Sequence, residues 1–243
     1  MNDKMAGRNF IFVHWVLPLV LIGVGISAYI HFGRQEAALS DFRDDPRIDV
    51  ALDCSVEDMW VHQKDSERVS EMGELLDPDG NPPDEIASSA EAGDPEAMFM
   101  MAVMQLAPLD GDSDAGMDWL RRSAEIGYPM AQGELGAAYL YGYNGTPVDR
   151  ARGRDWLARA AAQGEPYAQY SLARLHEASI SSDTRRQGVD LLLSSAAQCF
   201  PSASSKLSEH KGFRGSVPDF AERARALGNR VDEFEERGGY VQL

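Results

Sequence analysis

Cysteine, histidine and basic residues are scarce in this chain of 243 residues. Its two cysteines, Cys54 and Cys199, are too few for a disulfide framework or a thiolate zinc site and leave room for one pair. The sequence has no H-E-x-x-H motif, no Gly-rich phosphate loop and no G-x-S-x-G elbow. The chain has 23 Lys and Arg residues and 39 Asp and Glu residues, which gives a formal charge of -16. Such a surface repels nucleic acid and favours a partner of basic character.

An aspartate-rich stretch is the sharpest candidate for metal binding. Asp110, Asp112 and Asp114 alternate as in the first half of a calcium loop. However, the glycine stands at the seventh place instead of the sixth, and Arg121 stands where the bidentate glutamate belongs. We interpret the stretch as a polar loop that begins the next helix. The sequence therefore predicts no catalytic residues, no metal site and no cofactor.

A long run without charge lies near the N-terminus. Residues 10–32, FIFVHWVLPLVLIGVGISAYIHF, contain no Asp, Glu, Lys or Arg and would form a helix of roughly 34 Å, enough to cross a bilayer. A cleaved signal peptide is the alternative, because Lys4 and Arg8 precede the run and Gly25 and Ser27 supply small residues for a peptidase. The length of the run favours an uncleaved transmembrane helix or signal anchor.

The position of this segment predicts a topology. A short tail before a first span normally stays inside while a long domain that follows is exported. We expect a cytoplasmic tail at residues 1–9, a single pass, and an extracytoplasmic C-terminal domain, periplasmic if the source is a bacterium.

The middle of the chain repeats. Gly-x-Pro tripeptides begin at Gly93, Gly127 and Gly164, and Cys-Phe-Pro begins at Cys199, with spacings of 34, 37 and 35 residues. We call these four tripeptides the x-Pro steps. A glycine ends one helix because it adopts positive φ, and a proline two places later suits the first turn of the next helix. Periods of this length predict an α-solenoid of helical hairpins. Alanines at equivalent places around the steps predict close helix crossings: Ala90, Ala97, Ala124, Ala131, Ala161, Ala168, Ala196 and Ala203.

These units resemble the Sel1-like repeats (SLR), relatives of the tetratricopeptide repeats. The best match is 124–161, AEIGYPMAQGELGAAYLYGYNGTPVDRARGRDWLARAA, in which Gly153 replaces the usual alanine of the second helix. His176 fills a consensus tyrosine position and is expected to be a packed core residue. The resemblance implies an all-α, right-handed solenoid of hairpins that joins the N-terminal transmembrane helix.

Other segments flank the array predicted at 84–210. A helical segment and turn are expected at 33–83, with a helix over 50–76, and a capping helix with its tail at 216–243. The apolar residues of the capping helix recur at spacings of four and three. They are Phe220, Ala224, Leu227, Val231 and Phe234.

The two cysteines leave two interpretations open. A first helix at 50–76 would place Cys54 about three units from Cys199, far beyond the roughly 7 Å between Cα atoms that a bridge allows. Alternatively, 33–56 runs back across the solenoid and a Cys54–Cys199 disulfide clamps it.

The predicted function is binding. In such repeats the first helix of each hairpin lines the concave face. The resemblance implies a non-enzymatic scaffold or adaptor for a protein partner in an envelope or membrane complex. The alternatives are an inhibitor or immunity protein for an exported toxin or enzyme, and a secreted enzyme that binds β-lactams or peptidoglycan. The candidate partner-binding residues are Glu96, Phe99, Val103, Met130, Gly133, Ala137, Tyr167, Tyr170 and Arg174.

Overall fold

The computed structural model describes residues 42, 44–59, 82–106, 113–209 and 219–238. The predicted transmembrane segment at 10–32 lies outside these residues. Within them, no helix has both the length and the apolar character needed to span a bilayer.

The described chain is helical. Two short N-terminal helices are followed by three helical hairpins, another short helix and a final long helix. In chain order the helices are α1 Pro46–Leu52, α2 Asp84–Glu91, α3 Pro95–Leu106, α4 Ser113–Ile126, α5 Pro129–Tyr141, α6 Arg150–Ala162, α7 Pro166–Glu177, α8 Ser182–Ala196, α9 Pro201–Ser208 and α10 Phe220–Glu236.

The x-Pro steps form the turns that the sequence predicts. Gly93, Gly127 and Gly164 have φ of 101°, 112° and 90°, and Cys199 has 58°. Each is followed two residues later by the proline that begins α3, α5, α7 or α9. The positions of the turns at Gly93, Gly127 and Gly164 thus follow from local backbone preferences.

Neighbouring helices share small apolar cores. Phe99, Met117, Leu120 and Leu135 pack between α3, α4 and α5, and α6 and α7 form the next core around Leu157. The largest core lies at the C-terminal end and includes the buried apolar face of α10. Each hairpin therefore buries its apolar surface against the next unit.

Buried glutamines join successive units. Gln132 donates to the Ala124 carbonyl over 3.0 Å and accepts from Gln163 over 2.8 Å. One unit later, Gln169 donates to the Ala161 carbonyl and accepts from Gln198 over 2.9 Å. We call Gln132, Gln163, Gln169 and Gln198 the glutamine ladder. It adds side-chain donors to the Ala124 and Ala161 carbonyls, which also accept from the backbone N–H groups of Gly127 and Gly164.

The segment before the array folds back onto its far end. Phe42, Ile48 and Leu52 are buried in the same core as Leu193 of α8 and Phe234 of α10. Polar contacts follow the same path: Arg47 pairs with Asp190 over 2.6 Å, and Arg223 pairs with Asp49 and with Asp53. The sulfurs of Cys54 and Cys199 are bonded to each other, and this bond joins the returning segment to the last x-Pro turn.

The prediction of one continuous helix over 50–76 is wrong at its start. Helix α1 ends at Leu52, and a new helical turn covers 56–59. Ser55 and Asp58 hydrogen-bond each other's backbone N–H groups, the reciprocal contact of a capping box. This signal for a new helix start was present in the sequence. The rest of the predicted helix, 60–76, lies outside the described residues.

Candidate functional site

The nine residues predicted to bind a partner differ in exposure. Glu96 and Arg174 are exposed, and Val103, Met130 and Tyr167 are half-buried. Four others are buried and committed to packing, which differs from the sequence-based expectation: Phe99, Gly133, Ala137 and Tyr170.

Aromatic residues of the turns cover two of these four. The ring of Tyr128 lies 5.4 Å from that of Phe99, and the ring of Phe200 lies 5.9 Å from that of Tyr170. Tyr128 and Phe200 each stand just before the proline that begins a helix. The residue before the proline therefore decides whether the neighbouring aromatic side chain stays accessible.

A different set of polar and aromatic side chains meets between α5 and α7. A methyl group built at Gly133 would lie 3.2 Å from Glu165 Oε2 and 3.5 Å from Tyr167 Cδ1, so both side chains reach the α5 backbone. At the end of α5 the rings of Tyr141 and Tyr143 stack with centroids 5.5 Å apart. We call Glu134, Tyr141, Tyr143, Glu165 and Tyr167 the acidic–aromatic surface.

Glu165 is held in place as a helix cap. Its carboxylate accepts from the backbone N–H groups of Tyr167, over 3.1 Å, and of Ala168. Burial raises the pKa of this carboxyl to about 7, although the two backbone N–H groups lower it, and the negative charge of Glu134 adds to the rise. The carboxyl of Glu165 thus changes protonation near neutral pH.

The carboxyl of Glu134 is partly desolvated although the residue is exposed. Its side chain is exposed to solvent, yet desolvation by surrounding protein raises the pKa of its carboxyl. Desolvation chiefly raises the pKa of Tyr143 and of Tyr167, and the charge of Glu134 raises both further. The carboxylate therefore lies within electrostatic reach of the rest of the surface.

No basic side chain neutralises this surface in the part of the chain that the structure describes. Other exposed acids have such partners: Asp190 pairs with Arg47, and Glu177 pairs with Lys206 over 3.0 Å. Arg174, on the same helix as Tyr167, lies instead over the ring of Tyr170 at 5.8 Å. Glu134 and Glu165 thus leave a local excess of negative charge.

Sequence reasoning missed four of these five residues. Tyr141 and Tyr143 occupy positions outside the repeat pattern, and Glu134 follows the glycine that was selected. The acid before Pro166 was a usable signal, because a carboxylate directly before a helix-starting proline caps that helix. His176, expected to be packed, is half-buried, and burial lowers the pKa of its ring.

Within the described ranges, no group of three or more His, Cys, Asp or Glu side chains is arranged to hold a metal ion. The stretch around Asp110 and Asp112 lies partly outside these ranges. Helix α4 begins at Ser113, within that stretch.

Comparison with known proteins identifies the repeats. Residues 95–128, 129–165 and 166–198 each match the Sel1 repeat model. A Sel1 repeat protein from Oxalobacter formigenes is 33% identical over 52% of this chain and 96% of that one, with a TM-score of 0.47. A protective antigen of uropathogenic Escherichia coli with an SLR fold is 26% identical over 61% of this chain and 32% of its own length, with a TM-score of 0.50. No curated protein matches this chain. These matches show that residues 95–198 of this chain form three consecutive Sel1 repeats.

Proposed function

We propose that this protein is a membrane-anchored scaffold whose extracytoplasmic SLR domain binds a protein partner within an envelope or membrane complex. Sel1 repeats generally mediate protein–protein interaction, and the family model that matches this chain is a repeat and does not indicate an enzyme. The observation that carries the proposal is the acidic–aromatic surface. It displays exposed aromatic rings beside carboxylates that no Lys or Arg among the described residues neutralises.

Aromatic side chains at such a surface supply contact area at a small cost in conformational entropy. Tyr141 and Tyr143 are 57% and 42% exposed, which is high for large side chains with stacked rings. A protein partner would bury both rings, while the carboxylates would select a partner of basic character.

Export is supported by the paired cysteines. Disulfides persist in oxidising compartments and are rare in the reducing cytosol. Cys54 is 2% exposed and its thiol would lie inside the core at the end of the array. Alkylation of protein from its native compartment without reductant tests this: two labelled thiols would contradict export of the domain.

The predicted anchor would also orient the array. Residues 33–41 join the segment at 10–32 to Phe42 and span at most about 35 Å when fully extended. Because Phe42 is buried beside α8 and α10, the C-terminal end of the array would lie nearest the membrane. The earlier units would then point away from the bilayer and toward a partner.

The direct test is affinity purification of the tagged full-length protein from gently solubilised membranes, followed by mass spectrometry. We expect a stoichiometric membrane complex that is recovered by the natural chain and lost when Tyr141 and Tyr143 are both replaced by serine. A single soluble toxin or enzyme would instead establish the inhibitor function, and recovery of no partner would overturn the proposal.

A further inference from the structure

We propose that the acidic–aromatic surface takes up the guanidinium or ammonium group of one Arg or Lys side chain of the protein partner. The inference rests on the proposed function, because the cation is carried by the bound protein. It assigns a residue-level subsite to Glu134, Glu165 and the tyrosines around them.

The first argument is the space around Gly133. Glu165 Oε2 lies 3.2 Å from the place of a side chain at 133, and the Tyr167 ring lies 3.5 Å from it. Glu134 is the next residue and projects from the same helix, α5. A position without a side chain thus stands beside one carboxylate and one aromatic ring, and the adjacent residue on α5 carries a second carboxylate.

The second argument is electrostatic. In the free protein Glu134 has no hydrogen bond or ion pair with any residue that the structure describes. The titratable groups near it are the acid Glu165 and the phenols of Tyr143 and Tyr167. Burial disfavours the ionised form of both carboxyls. A cation bound between them would reverse both effects, because attraction between opposite charges is strong where water is partly excluded.

The third argument concerns the kind of cation. Rings of Tyr141, Tyr143 and Tyr167 lie around the carboxylates, and aromatic faces attract organic cations. The chain itself shows this preference: Arg159 lies 4.6 Å from the Trp156 ring and Arg122 lies 4.0 Å from the Trp119 ring. Calcium or magnesium prefers more oxygen ligands than two carboxylates provide. The set of groups therefore fits a side-chain cation better than a metal ion.

The net charge of the chain alone does not explain this site. A formal charge of -16 attracts basic molecules to the whole surface. A specific subsite, by contrast, depends on one carboxylate at one place. Glu222 on α10 provides the matched control, because it is exposed and lies on a distant helix.

The test uses random dodecapeptides displayed on phage and selected on the full chain in detergent. Selected peptides are resynthesised with their fixed Arg replaced by citrulline, or their fixed Lys by norleucine. Affinities are measured by calorimetry for the natural chain, Glu134→Gln and Glu222→Gln. Thermal unfolding followed by circular dichroism shows that each variant is folded.

We expect one cationic position common to the selected peptides. Neutralising that position should weaken binding at least tenfold, and Glu134→Gln should weaken the cationic peptide by a similar factor. Glu134→Gln should leave the neutral peptide unchanged, and Glu222→Gln should change neither peptide more than twofold.

The outcomes separate this inference from the proposed function. Peptides that lack a common cation but lose affinity when Tyr141 and Tyr143 are replaced would overturn the subsite and leave the binding function standing. Equal effects of Glu134→Gln and Glu222→Gln would also overturn the subsite, because only net charge would then matter. Peptides that are insensitive to every one of these substitutions would contradict both proposals.

Discussion

The Cα atoms of Cys54 and Cys199 lie 5.5 Å apart although 145 residues separate them along the chain. Cys54 follows α1, and Cys199 stands in the turn between α8 and α9, where the three preceding units have glycine. The disulfide therefore lies in a turn that requires positive φ, where glycine is the usual residue of the repeat. It fixes the returning N-terminal segment against the last unit.

Loss of this bridge should destabilise the domain strongly. A cross-link that closes a loop of this length lowers the entropy of the unfolded chain, and its removal costs on the order of 4–5 kcal/mol in the loop-entropy description. We expect Cys54→Ser/Cys199→Ser to lower the free energy of unfolding by about this amount. Chemical denaturation followed by circular dichroism measures it, and an unchanged midpoint would contradict the clamp.

The turn at Cys199 provides a matched comparison. A residue with a side chain at φ near 58° is strained, and glycine is not. In the Cys54→Ser background, Cys199→Gly should therefore be more stable than Cys199→Ser by about 1 kcal/mol. Equal stabilities of the two variants would show that this turn carries no strain.

The glutamine ladder should contribute more than the serine that follows it. Gln132→Ala and Gln169→Ala each remove two hydrogen bonds made by a buried side chain and should cost about 1–2 kcal/mol. Ser204 occupies the equivalent place one unit later, and its buried hydroxyl has no hydrogen-bond partner among the residues that the structure describes. Ser204→Ala should therefore change stability by less than about 0.5 kcal/mol or increase it. Urea unfolding of the three variants makes the comparison.

Two helical glycines should respond oppositely to alanine. A methyl group at Gly153 would lie 2.9 Å from the Gly136 carbonyl oxygen and 2.7 Å from Leu140 Cγ, whereas at Gly228 the nearest atom is 3.6 Å away. Gly228→Ala should stabilise α10 by up to about 1 kcal/mol through helix propensity. Gly153→Ala should instead lower the melting temperature, because α5 and α6 must separate. Stabilisation by both changes would contradict the close crossing.

The raised pKa of Glu165 predicts a pH dependence of stability. In the folded state the pKa of this carboxyl is about 7, above the ordinary pKa of 4.5 for an exposed glutamate. Its contribution is therefore fully present below a pH near 4.5 and is lost as pH rises through about 7. We expect the melting temperature of Glu165→Gln to fall less than that of the natural chain between these pH values.

The difference between the two profiles isolates Glu165. His176 acts in the opposite direction, because burial lowers the pKa of its ring in the folded state, and it contributes equally to both proteins. Glu134 shifts in the same direction as Glu165. Its contribution is assessed by Glu134→Gln in the same series. Parallel profiles for the natural chain and Glu165→Gln would contradict the assigned pKa.

The binding surface was only partly predictable. Tyr167 follows from the repeat register, since it is the second residue of α7 in the unit pattern. Phe99 and Tyr170, the fifth residues of α3 and α7, were predicted on the same face but are covered by Tyr128 and Phe200 of the adjacent turns. Register gives the face of a helix on which a residue lies, whereas exposure depends on which side chains the next unit places over it.

The sequence by itself determined the repeats of this protein. Glycine and proline act on the backbone at their own positions, so the turns at 93, 127 and 164 and the helix starts after them follow from local physics. Only the tertiary structure decided where residues 42 and 44–59 pack, that the two cysteines meet, and that Glu134 lies within electrostatic reach of Glu165. Those contacts join residues far apart in sequence, and their free energy comes from burying surfaces that no local pattern pairs.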